Sequence, residues 1–241
     1  MLTYENKMEG TPPIALCHLG YNCAPGIVID DIIGTRQKQL FQLGTYRIKD
    51  IATYLSECSR DPGAYKSIYD RALLRVVSDA HVVHTKYNFG FNHDYRAKDG
   101  HITNYEHIVD RFNTKIDHFR RMLDDDKNVC VFITFLAAGK DVSHVPGDID
   151  VDGASGIGEL ADWLSCNKKG SFHWVIFADA PYTTELPACC SVIVLQNSYY
   201  LWWKMSADTK RPLYDEIHRK LIACLESRGI DHGLPRAKSA P

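Results

Sequence analysis

Long apolar runs, charge of one sign and paired cysteines are all scarce in this chain, and each scarcity removes a class of function. No stretch approaches the roughly 20 apolar residues that span a bilayer. The segment Met1–Gly10 is polar and acidic, unlike a secretory signal, so the expected compartment is the cytoplasm. Twenty-eight Lys and Arg stand against 30 Asp and Glu, a net charge of −2. That leaves no broad basic footprint, and nucleic acid is not an expected partner. Eight cysteines are present, yet no Cys-x-x-Cys pair occurs among them. Several sit inside apolar runs, as Cys130 does, where thiols act as small hydrophobes. A zinc ribbon and a disulfide framework are both unexpected. The Gly20-x-x-Cys23 turn is not a Gly-x-Gly-x-x-Gly fingerprint, and no internal repeat is present.

What is present alternates. An apolar run from Ile14 ends at Gly20, and Pro25 stands where a helix would begin. Tyr105, Ile108, Val109, Phe112, Ile116, Phe119, Met122 and Leu123 recur at spacings of three and four, which predicts a long helix with Asn104 at its N-cap. Val129–Phe135 and Phe172–Ala178 are continuous apolar runs, as expected of strands covered on both faces. A shorter strand is expected at 191–195 and a closing amphipathic helix at 213–225. The expected fold is α/β, with a mainly parallel, Rossmann-like sheet and helices on both faces. Residues 1–12 read as an extension, 13–228 as a single domain and 229–241 as a frayed tail.

In such sheets ligands bind beyond the carboxyl ends of the strands. The turn after the first strand therefore holds the first candidates. Gly20, Tyr21 and Asn22 can form an anion-binding nest at a helix N-terminus, suited to a diphosphate. Cys23 in the same turn is either a thiolate nucleophile or a small packing residue. His93 and Asp94 end the segment Lys86–Asp94, read as a loop. Either could take a proton from a substrate hydroxyl, and Tyr87, Phe89, Phe91 and Tyr95 would offer flat faces to a sugar or base. Lys86 is a candidate cation for a leaving diphosphate, and Asp179, after a buried strand, a candidate ligand contact. Asp148 and Asp150 alternate like the acidic pair that holds Mn²⁺ or Mg²⁺ in many nucleotide-sugar transferases; a solvated acidic turn is the competing reading.

The order Leu19-Gly-x-x-Cys23, then Lys86-Tyr-x-Phe-x-Phe-x-His-Asp94, then Arg111-Phe112 and Arg120-Arg121 before Val129-Cys-Val-Phe132, resembles a poorly characterised family grouped with papain-like cysteine peptidases. The resemblance covers roughly residues 14 to 135. It departs at Phe41–Gly44, where the family tends toward Pro-Phe-Asp-Trp, and at Thr134, where an arginine often ends the strand. It implies Cys23 as nucleophile and His93 as base, with Asp94 or another polar group orienting the histidine. Such domains also occur beside glycosyltransferases in some bacterial and large-virus chains. A papain-like core begins with its cysteine helix and continues in antiparallel strands, whereas here a strand comes first. The favoured expectation is thus a glycosyltransferase taking a nucleotide-sugar donor and a glycan acceptor. A thiol peptidase and a non-catalytic glycan- or nucleotide-binding module are the alternatives.

Overall fold

The computed structural model describes residues 14–20, 30, 39–42, 44–79, 81–91, 93–136, 156–178, 181, 185–196 and 205–234. Four strands, β1 (Ile14–His18), β8 (Val129–Leu136), β9 (Phe172–Ala178) and β10 (Cys190–Val194), form a parallel sheet in that order. β8 and β9 lie in the middle, and their continuous apolar runs are buried almost throughout. Alternation then divides the side chains between two cores. Leu16, Val131, Ile133, Val175 and Phe177 face Leu213, Ile217, Leu221 and Leu225 of the last helix, α4 (Ala207–Ser227). Cys17, Cys130, Phe132, Trp174 and Ile176 face the opposite way. There they meet α1 (Ile48–Arg60), α2 (Tyr105–Asp124) and α3 (Ile157–Asn167). The protein is therefore a mixed α/β fold with helices on both faces of a parallel sheet.

Between β1 and β8 the chain builds a second, antiparallel sheet, which corrects the expectation of a mainly parallel architecture. Its order is β2 (Gly44–Thr45), β5 (Phe89–Phe91), β4 (His81–His84) and β3 (Leu74–Ser78). A hairpin of β6 (Ala97–Lys98) and β7 (His101–Ile102) follows. Its two-residue loop is Asp99-Gly100, with φ of +52° and +76°, the turn geometry that two-residue hairpins favour. The segment 86–94 is thus partly strand. Its aromatics are no platform: Tyr87, Phe89, Phe91 and Tyr95 are buried. Tyr87, Phe89 and Phe91 pack edge-on with Phe41, Tyr46, Tyr54 and Phe112, and Tyr95 lies tilted against Phe91 and Phe112. Rings of this size are worth more in a core than in water, and the short strands leave room for little else.

α2 follows its predicted stripe, with Ile108, Phe112, Ile116, Phe119, Met122 and Leu123 buried. Asn104 stands at its N-cap but does not cap it. Its amide instead donates to the Asp94 carbonyl at 3.1 Å and accepts from the Arg96 N–H at 2.8 Å, pinning the turn around Asp94. At the other end of the chain, Leu234 is buried against the α4-side core, so the packed body extends past Gly229. Among the described residues no helix is long and apolar enough to cross a membrane.

Candidate functional site

The carboxyl edge of the parallel sheet is fixed where β1 ends. The Leu19 N–H donates to the Ile133 carbonyl at 2.9 Å, and the Leu19 carbonyl accepts from Thr134 Oγ1 at 2.5 Å. Thr134 in turn accepts from the Trp174 indole at 2.9 Å. On the outer side of β1, the Gln39 carboxamide accepts from the His18 N–H and donates to the Leu16 carbonyl. Those are the two bonds that one residue of a parallel neighbour would make.

Gly20 then turns the chain with φ +66°. A Cβ there would lie 2.7 Å from Ile51 Cδ1 and 2.9 Å from the Tyr46 carbonyl, so only glycine lets α1 approach this closely. Gly156, the N-cap of α3 with φ +91°, does the same: its Cβ would lie 2.7 Å from the Lys49 nitrogen. The first turns of α1 and α3 therefore touch, beside Gly20. The Arg47 side chain does not cap α1, and Gly156 has no side chain with which to cap α3. The first intrahelical bonds run from Ile51 to Arg47 and from Leu160 to Gly156, so the N–H groups of 48–50 and 157–159 have no partner within their helices. Lys49 is exposed at this junction, and Arg47 pairs with Asp50. Two helix N-terminal turns meeting here make a locus that can attract an anion, against the carboxylates of Asp50 and Glu159 in the same turns.

His18, the last residue of β1, is fully buried, and neither ring nitrogen forms a hydrogen bond among the described residues. Burial pushes its pKa down to about 4, although the nearby backbone of Phe41 and Gly20 favours the charged form slightly. The imidazole is neutral at physiological pH.

His93 is exposed, and Asp94 beside it is sealed inside. Asp94 Oδ1 lies 3.0 Å from Lys115 Nζ and 3.4 Å from Arg111 Nε, both on α2. Among the described residues Oδ2 has no donor, and the buried Tyr95 hydroxyl has no partner. Burial pushes the Lys115 ammonium down, Asp94 raises it, and repulsion from Arg111 lowers it further. Asp94 is thus enclosed and paired, while His93 beside it is exposed.

Lys86 is not brought to Gly20. Its ammonium is held by Glu57 Oε2 at 2.5 Å, and that same oxygen accepts from the Tyr87 hydroxyl at 2.6 Å. Glu57 lies nine residues along α1 from Ile48, about 14 Å from the N-terminal turn at 1.5 Å per residue. Tyr21, Asn22, Cys23, Asp148, Asp150 and Asp179 lie outside the described residues. Among the described residues no group of three His, Cys, Asp or Glu side chains could hold a metal.

Sequence reasoning missed Gln39, Thr134 and the Arg111–Lys115 pair. Lys115 left a signal, since it stands seven residues after Ile108 on the buried stripe of α2. A lysine at such a position calls for a buried carboxylate. Gln39 left none, because its partners are backbone atoms of a strand 21 and 23 positions away. Compared with family profiles, curated proteins and solved structures, the chain matches none.

Proposed function

We propose that the chain is a glycosyltransferase, moving a sugar from a nucleoside-diphosphate donor to a glycan hydroxyl at the carboxyl edge of a Rossmann-like sheet. One observation carries the reading: the first turns of α1 and α3 converge beside Gly20, where β1 leaves the sheet. The donor diphosphate would accept hydrogen bonds from the free N–H groups of these turns, with Lys49 nearby as a cation. The acceptor oxygen attacks the anomeric carbon as the bond to the diphosphate breaks. The electron pair leaves with the diphosphate, and the acceptor proton passes to His93. A divalent cation held by Asp148 and Asp150 would supply further neutralisation of the leaving charge.

The test is ligand class. Uridine, guanosine or thymidine diphosphate should raise the melting temperature, since binding to the native state adds RT ln(1 + [L]/Kd). Lys49→Glu should shrink that rise. A folded protein that shows no shift with any of the three, with or without Mn²⁺, removes the proposal. A shift without sugar transfer or hydrolysis reduces it to a binding module.

A further inference from the structure

The Asp94 cluster holds one more cation than its charge balance requires. Asp94 and Lys115 side chains are 0% and 1% exposed and neutralise each other. Arg111 approaches the same Oδ1 through Nε, with its side chain 27% exposed. The trio carries a net positive charge at the boundary between core and water. A structural ion pair has no use for that surplus, which Lys115 registers as repulsion. Among the described residues no group accepts a hydrogen bond from Arg111 Nη1 or Nη2. The guanidinium is braced from behind, and its forked end is left unfilled. Beside it the buried Tyr95 hydroxyl has no hydrogen-bond partner among the described residues; Asp94 Oδ2 and both His18 ring nitrogens share that state.

We propose that Arg111, braced by Asp94 and Lys115, is a binding group for an oxyanion of a ligand, a phosphate in the first place. A planar fork fixed through Nε matches two oxygens of a phosphate or carboxylate at once, which a flexible ammonium cannot do. Asp94 and Lys115 are positioning residues in this arrangement. Asn104 completes the brace by holding the Asp94 carbonyl and the Arg96 amide. His93, exposed next to Asp94, stands at the same loop. Arg111, Asp94 and Lys115 are not residues of the helix N-terminal turns beside Gly20, and the proposal does not depend on what binds at those turns.

The experiment titrates the full chain with inorganic phosphate by calorimetry, with acetate as a parallel arm at matched ionic strength. Saturable phosphate binding is expected, weakened at least tenfold in Arg111→Gln. Arg111→Lys, which keeps the charge and loses the fork, should fall between the two. Arg121→Gln, on the same helix with Nε bonded to the Asp117 carbonyl, should bind as the unmodified chain does. Acetate competing equally well, and losing as much in Arg111→Gln, would assign the site to carboxylates within the same oxyanion chemistry. Phosphate binding unchanged in Arg111→Gln, or absent altogether, overturns the proposal. Binding that survives Arg111→Gln and disappears in Lys49→Glu belongs to the carboxyl edge and also overturns it. A nucleoside-diphosphate shift retained in Arg111→Gln keeps the two sites distinct, so either can fail alone.

Discussion

The two sheets are built from different materials. The parallel sheet uses strands of five to eight residues, and its two central strands are buried on both faces between helices above and below. The antiparallel sheet uses strands of two to five residues, and its core is a mesh of rings, with Phe41, Tyr46, Tyr54, Phe89 and Phe91 meeting edge to face. The first arrangement leaves its free donors at helix ends. The second leaves its polar groups inside, as a charged knot around Asp94. A chain of ring contacts, Tyr46 to Phe91 to Tyr95, joins Gly20's neighbour to Asp94's neighbour. In the proposed transferase, binding an anion and handling a proton would fall to different kinds of structure.

That division can be broken first by activity. His93→Ala should lower turnover by about 10²–10⁴-fold, the usual range for losing a general base, while the nucleoside-diphosphate thermal shift persists. Cys23→Ala should keep activity within about tenfold. Near-total loss in Cys23→Ala together with cleavage of a peptide substrate would replace the transferase with the thiol peptidase. Next comes the charged knot. Lys115→Met leaves a buried carboxylate facing Arg111 alone and should cost about 3–5 kcal/mol in denaturant unfolding. A loss under 1 kcal/mol would mean that Asp94 is reached by water.

The parallel half has its own test, in pH. The unfolded His18 imidazole titrates near 6.5 and the folded one near 4. The unfolded chain therefore binds the extra proton between those values. The neutral imidazole's stability is fully present above 6.5 and is lost as pH falls through 4, a loss of roughly 3 kcal/mol. Melting curves from pH 7 to 4 should be one proton shallower in His18→Gln. Equal slopes would show that the buried ring does not govern this window. Burial also pushes His84 and His173 down, which is why the difference between variants, and not the slope itself, is the readout. The smallest effect compares two glycines at similar φ, Gly20 at +66° and Gly100 at +76°. Alanine at Gly100 meets open space and should lose only the left-handed penalty, about 1–2 kcal/mol. Alanine at Gly20 should lose more, because it also meets Ile51 and the Tyr46 carbonyl. Equal losses would show that α1 yields at this contact.

The same contrast explains what was legible from the amino acids alone. Val129–Phe135 and Phe172–Ala178 announce central strands because burial on both faces needs an unbroken apolar run. The α2 stripe is legible because 3.6-residue periodicity is local. The antiparallel sheet was hidden: Phe89–Phe91 is too short to show alternation, and its aromatics look like loop decoration until Phe41, Tyr46 and Tyr54 arrive from elsewhere. At the candidate site, Gly20 was legible as a turn. The partner beside it was not, since α1 begins 28 residues later and is recruited by packing. His93 and Asp94 were marked as a unit, but adjacent residues point apart, and the structure sends one to water and the other to Lys115.

The Gln39 carboxamide on β1 has a consequence beyond the molecule itself. An edge strand with open peptide groups is a template on which another chain can add a strand. Here Leu16 and His18 spend their outward groups on Gln39, and at the far side Glu216 takes the Gln196 N–H while Lys220 takes the Val194 carbonyl. Both rims of the four-stranded sheet are closed in part by side chains of the same chain. A second copy could not extend the sheet there without first stripping those side chains away, so growth from copy to copy is opposed at both rims.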